Sequence, residues 1–122
     1  MKEIKAYIRL DKAEDVIHAL EKAGVPGLTA IEVKAVGAYI DSTHAKYSLS
    51  YIERVSPITK LEIVCKDEDV ERLVDVITKK ACTGRKGDGM IFVSDINSAI
   101  KIRTGERGEE ALLPAPAKGS EC

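Results

Sequence analysis

Ile4-Lys5-Ala6-Tyr7-Ile8-Arg9-Leu10 opens the chain with apolar side chains at every second position and Lys5, Tyr7 and Arg9 between them. A period of two is the mark of a strand with one buried face. Asp11, followed three residues later by Glu14, predicts a capping-box start, after which Val16, Ile17, Leu20 and Ala23 recur at helical spacing until Gly24. The turn Gly24-Val25-Pro26-Gly27 then leads into Thr29-Ala30-Ile31-Glu32-Val33-Lys34-Ala35-Val36, a second alternating run rich in β-branched residues. The cycle recurs further on. Residues 58–65 read as a strand, and Asp67 starts a helix whose Val70, Leu73, Val74, Ile77 and Ala81 form one apolar stripe. Acidic residues crowd its first turn and Lys79 and Lys80 its last, as the helix dipole favours. A strand at residues 90–94, a turn or short helix at 95–99 and an extended Ile100-Lys101-Ile102-Arg103 complete the pattern. Two β-α-β units predict a ferredoxin-like βαββαβ sandwich of the α+β class, with both helices on one sheet face. Tyr7, Val36 and Val64 leave the sheet semi-apolar elsewhere, so packing between subunits is expected.

Residues 37–57 show neither period, and a long flexible loop between the second and third strands is the expectation. One domain over residues 1–112 and a disordered tail over 113–122, where Pro114, Pro116 and Gly119 cluster, fit a chain of 122 residues. Nineteen basic residues stand against 20 acidic, giving a net charge of −1 and no general attraction to nucleic acid or anionic lipid. No apolar run approaches the roughly 18 residues that would suggest membrane insertion, and the start of the chain lacks a signal-peptide core. The expected location is cytoplasmic. Cys65, Cys82 and Cys122 are odd in number and form no C-x-x-C pair, and His18 and His44 are far apart, so neither a disulfide framework nor a metal site is expected.

The chemistry gathers in Thr83-Gly84-Arg85-Lys86-Gly87-Asp88-Gly89, with three glycines and two cations in seven residues. Glycines permit positive φ and let backbone N–H groups converge on an anion. The spacing is not that of a P-loop, and the segment passes from helix to strand rather than from strand to helix. A second basic group, Lys101, Arg103 and Arg107 around Thr104-Gly105, favours a polyphosphate ligand over two ordinary turns. No activated nucleophile or metal cage accompanies them, so the chain reads as a binding protein and not an enzyme, with slow ATP hydrolysis as the enzymatic alternative.

Residues 83–93, followed by Ile102-Arg103-Thr104-Gly105-Glu106-Arg107-Gly108, closely resemble the two C-terminal signatures of the PII signal-transduction family. Gly27, Thr29, Glu32-Val33-Lys34, Gly37 and Lys60-Leu61-Glu62-Ile63-Val64 extend the resemblance over about residues 1–112. It implies a homotrimer that binds an adenine nucleotide (ADP, AMP or ATP, with Mg left open) in clefts between subunits. It needs no other cofactor, and it regulates a transporter or enzyme through the long loop. The family's adenine-side contacts fall on Gly27, Thr29, Glu62 and Val64, with Tyr7 and Val36 lining the same region; its phosphate-side contacts fall on Gly37, Gly87, Asp88, Gly89 and Arg103. Lys101 stands where the family has arginine, and Arg85 and Lys86 belong to the same phosphate loop.

Three departures from the family pattern bear on what is sensed. Met90 replaces a lysine, and one charge-assisted hydrogen bond is worth about 1.5–3 kcal/mol, or one to two decades of affinity, so phosphates beyond the first should be held less tightly unless Lys86 compensates. Ala38-Tyr39 replaces Arg-Gln, which predicts a weak or absent 2-oxoglutarate response. The loop centre Lys46-Tyr47-Ser48-Leu49-Ser50-Tyr51-Ile52-Glu53 lacks the family sequence, although Tyr51 coincides with a tyrosine that some relatives modify. Tyr39, His44, Tyr47 and Tyr51 are the candidate partner-binding residues. These departures suggest a divergent PII-like branch, with nitrogen sensing, bicarbonate transport and metal transport open as regulated processes.

Overall fold

The computed structural model of the chain describes residues 1–37, 46–48 and 51–114. Strand β1 (Lys2–Arg9) leads through a 3₁₀ turn (Leu10–Lys12) into helix α1 (Ala13–Lys22); β2 (Thr29–Val36), the short β3 (Lys46–Ser48) and the long β4 (Tyr51–Cys65) follow. A second 3₁₀ turn (Asp67–Asp69), helix α2 (Val70–Ala81), β5 (Met90–Asp95) and a closing 3₁₀ segment (Gly108–Leu112) complete it. The sheet order is β2-β4-β1-β5 with every pairing antiparallel, and β3 adds to β4. Each helix connects two strands with a third between them, which is the ferredoxin-like α+β arrangement the sequence predicts.

Alternation decides which face is buried. Ile4 and Ala6 of β1 pair with Ile63 and Leu61 of β4, Ile8 pairs with the buried hydroxyl residue Thr59, and the apolar members meet Val16 and Leu20 of α1 and Leu73 and Ile77 of α2 in one core. The opposite face carries Glu3, Lys5, Tyr7, Lys60, Glu62, Val64, Met90 and Phe92, following the period of two. There Tyr7 and Phe92 pack edge to face, with ring centres 6.0 Å apart. Helix α1 ends in a Schellman motif: Val25 N–H reaches the Leu20 carbonyl and Gly24 N–H that of Glu21, both at 3.1 Å, with Gly24 at φ 93°. Val25 then packs on the core. Ile77, almost wholly buried in that core, sets the scale of a single methylene: Ile77→Val should cost about 1 kcal/mol in urea unfolding, with the denaturant slope unchanged.

Four local expectations are corrected. Asp11 makes no capping hydrogen bond and lies inside a 3₁₀ turn; α1 starts only at Ala13. The third major strand begins at Tyr51 rather than residue 58, because Val55, Ser56 and Pro57 continue the ladder against Val36, Ala35 and Lys34. Residues 51–57, and 46–48 as well, are therefore strand rather than loop, while 38–45 and 49–50 lie outside the described residues. Residues 96–99 form no helix; Ile96 N–H instead bonds to the Met1 carbonyl at 3.1 Å. Ile100-Lys101-Ile102-Arg103 is not an extended strand. Ile100 makes a single bridge to Arg107, and Gly105, at φ 74°, lets the chain reverse so that its N–H reaches the Lys101 carbonyl at 2.7 Å. Of the expected tail, Leu113 and Pro114 are described and residues 115–122 lie outside.

Candidate functional site

The predicted contact residues fall into two groups at opposite ends of the sheet. At the end where β1 and β2 begin, Gly27, Thr29, Glu62 and Val64 line an open cleft of about 590 Å³, together with Glu3, Pro26 and Leu28. Register explains the grouping, since Thr29 lies opposite Glu62 and Glu3 opposite Val64. Leu112, Leu113 and Pro114 supply a further wall, and Lys101 joins it by donating from Nζ to the Leu113 carbonyl at 2.6 Å. The cleft thus combines flat apolar surface with the Glu62 carboxylate, the Thr29 hydroxyl and a cation. Glu62 also pairs with Lys60 at 3.4 Å. Arg103 sits in the neighbouring exposed turn, two residues beyond Lys101.

The glycine-rich loop lies at the other end, where β1 finishes and β5 starts. Gly84, Gly87 and Gly89 have φ of 82°, 102° and 102°, and Arg85 and Lys86 are exposed between them. Asp88 organises the loop from within. Its Oδ2 accepts the backbone N–H groups of Thr83 and Gly84, both at 2.8 Å, and its Oδ1 accepts the Thr83 hydroxyl and the Arg9 Nε–H, the latter at 2.9 Å. Arg9 Nη2 donates further to the Lys86 carbonyl at 2.9 Å. Burial by itself would raise the Asp88 carboxyl; the Thr83, Arg9 and Gly84 donors outweigh it and hold the group far below the usual carboxylate range. Arg9 is only 6% exposed although it occupies an open-face position of β1. Sequence reading missed it, because alternation groups it with the solvated Lys5, and its partner is 79 residues away.

Tyr7 and Val36, expected beside Gly27, Thr29, Glu62 and Val64, are not brought to that cleft. Tyr7 lies opposite Met90, at the loop end of β1, and Val36 ends β2 opposite Val55. Gly37, at φ 123°, follows Val36 at that same end. Met90 is 58% exposed. Tyr47 and Tyr51 stand on β3 and β4, while Tyr39 and His44 lie outside the described residues. Four residue steps along β1 lead from Glu3 at the cleft to Tyr7 at the loop, which amounts to about 13 Å of strand. Among the described residues, no group of three or more His, Cys, Asp or Glu side chains could hold a metal ion, and no helix is long and apolar enough to cross a membrane.

Comparison with known proteins gives one answer. Residues 1–106 match the family model described as Nitrogen regulatory protein P-II. Over 112 residues the chain is 46% identical to Nitrogen regulatory protein P-II 2 of Methanothermobacter thermautotrophicus, covering 92% of this chain and 97% of that protein. It is 44% identical over 112 residues to the Nitrogen regulatory protein P-II of Bradyrhizobium diazoefficiens, covering 92% of this chain and 100% of that one. The match takes in the helices, strands and glycine-rich loop of the described residues, and the chain belongs to the nitrogen regulatory protein P-II family of signal-transduction proteins.

Proposed function

We propose that this chain is a cytoplasmic adenine-nucleotide sensor that assembles as a homotrimer and regulates a transporter or enzyme through the segment spanning residues 37–57. The observation that carries the reading is the separation of its two half-sites. Gly27, Thr29, Glu62, Val64 and Lys101 surround a cleft suited to a flat heteroaromatic ring, whereas the anion cradle of residues 84–89 lies at the far end of the same sheet. One nucleotide cannot readily use both ends of one subunit. Two neighbouring copies can supply one end each, giving three shared sites in a closed trimer. Gly37 lies at the cradle end of the sheet, so a nucleotide that favours one arrangement of the chain beyond it would shift that segment's population.

Nitrogen regulation is the process named by the relatives, and it takes first place among the processes that the departures at Ala38, Tyr39 and Met90 leave open. Met90 offers no hydrogen-bond donor to a phosphate, so ADP and AMP should compete well with ATP. Calorimetric titration with ADP, AMP and ATP should show saturable binding of one nucleotide per chain, with sedimentation reporting three chains per particle. Arg103→Ala should weaken ADP about tenfold, as expected for loss of a charge-assisted contact. Failure of all three nucleotides to bind would overturn the reading.

A further inference from the structure

We infer that Arg9 is a positioning residue for phosphate recognition, holding the 84–89 cradle in its anion-binding shape from beneath without touching the ligand; this rests on the nucleotide reading above. The guanidinium is nearly buried at the end of β1 and spans the loop in two places, with Nε on Asp88 Oδ1 and Nη2 on the Lys86 carbonyl, both at 2.9 Å. Asp88 carries the constraint onward to the N–H groups of Thr83 and Gly84. One rigid fork therefore fixes both sides of the tip formed by the exposed Arg85 and Lys86 and the half-buried Gly87. The Lys86 carbonyl is drawn toward the arginine, which turns the Gly87 N–H of the same trans peptide the opposite way, while the Arg85 N–H bonds within the loop to the Thr83 hydroxyl at 3.2 Å.

A second feature anchors the same unit to the sheet. Gly89 lies so close to the Tyr7 carbonyl that a Cβ there would come within 1.7 Å of its oxygen. The cradle is thus built on the last turn of the β1 ladder, and Arg9 is the side chain by which that strand controls it. Arg9 faces Asp88 and the Lys86 carbonyl rather than solvent, and the Asp88 carboxylate offsets its charge, so its effect on a phosphate must act through loop geometry. Lysine could reach Asp88 or the carbonyl, but a single ammonium lacks the planar fork that holds both in one geometry.

The half-sites make this separable from simple stabilisation, because adenosine would engage only the cleft at the opposite end of the sheet. Titrations of wild type, Arg9→Met and Arg9→Lys with ADP and with adenosine should show ADP weakened about tenfold in Arg9→Met and severalfold in Arg9→Lys, with adenosine unchanged within twofold in both. Should Arg9→Met fail to fold, the Arg9→Lys measurement decides. Unchanged ADP affinity in the variants, or a parallel loss of ADP and adenosine, would overturn the positioning role and leave Arg9 a stabilising residue only. A wild-type protein that binds neither ligand would overturn the nucleotide reading itself, and the positioning role with it.

Discussion

Gly89→Ala should destabilise the protein by roughly 3 kcal/mol or more, because two independent penalties coincide at one backbone position. The residue sits at φ 102°, a region that side chains rarely adopt, and the added Cβ would lie 1.7 Å from the Tyr7 carbonyl oxygen and 2.8 Å from its carbon. The first penalty alone is about 1–2 kcal/mol. The second cannot be relieved by turning a side chain, since the obstructing atoms are backbone in a paired strand. Gly84→Ala separates the two effects: φ is 82° there, yet nothing lies within 4 Å of the added Cβ. Its cost should remain at about 1–2 kcal/mol. Urea unfolding of both variants should show Gly89→Ala much the weaker. Similar midpoints would mean that close approach to Tyr7 contributes nothing.

The contrast between these two glycines also shows what the sequence could and could not reveal. Both belong to a run whose composition announces a tight loop with positive-φ positions, and that much is legible from three glycines in seven residues. That one of them touches β1 is a tertiary fact with no local signature. The same holds for Arg9. Its position in an alternating run assigns it to the open face correctly, but only the returning loop buries it. Strands whose apolar residues pair across the core, Ile4 with Ile63 and Ala6 with Leu61, were readable because burial on one face imposes the period directly.

Where burial is shared differently, the period fades. Val55 and Ser56 are both buried at adjacent positions of β4, and Pro57 follows them, so the first half of that strand reads as irregular. Ile100 and Ile102 mislead in the opposite direction. They alternate with Lys101 and Arg103 as a strand would, yet Gly105 reverses the chain and Ile102 is left 89% exposed. The cleft residues Gly27, Thr29, Glu62 and Val64 come from separate segments, and only the family resemblance gathers them in advance. Leu113 and Pro114 join the same cleft beside Leu112, although the composition from residue 113 onward suggests a tail.

Asp88→Ala should cost about 3 kcal/mol and should remove most of the acid sensitivity that this loop contributes. The substitution takes away an acceptor shared by Thr83, Gly84 and Arg9, and it deprives a guanidinium only 6% exposed of that carboxylate. Asp88 itself is 24% exposed, which keeps the expected cost toward the lower end of the range for breaking a buried pair. The pH dependence follows from the depressed carboxyl. A group ionised more readily in the folded chain than in the unfolded one stabilises the fold at every pH above its unfolded value, and that contribution is lost as pH falls toward the folded value. With an ordinary value of 3.8, the loss begins below about pH 4 and deepens with further acidification. Asp67, depressed by its contact with the N-terminal ammonium, titrates in the same direction, so the informative quantity is the difference between two proteins. Asp88→Asn keeps the shape of the side chain while removing its charge. The stability gap between wild type and Asp88→Asn, measured by urea unfolding at a series of pH values, should be constant near neutrality and narrow steadily below pH 4. A gap independent of pH down to acid unfolding would mean that Asp88 contributes as a neutral acceptor, and that the ion pair with Arg9 does not hold the loop.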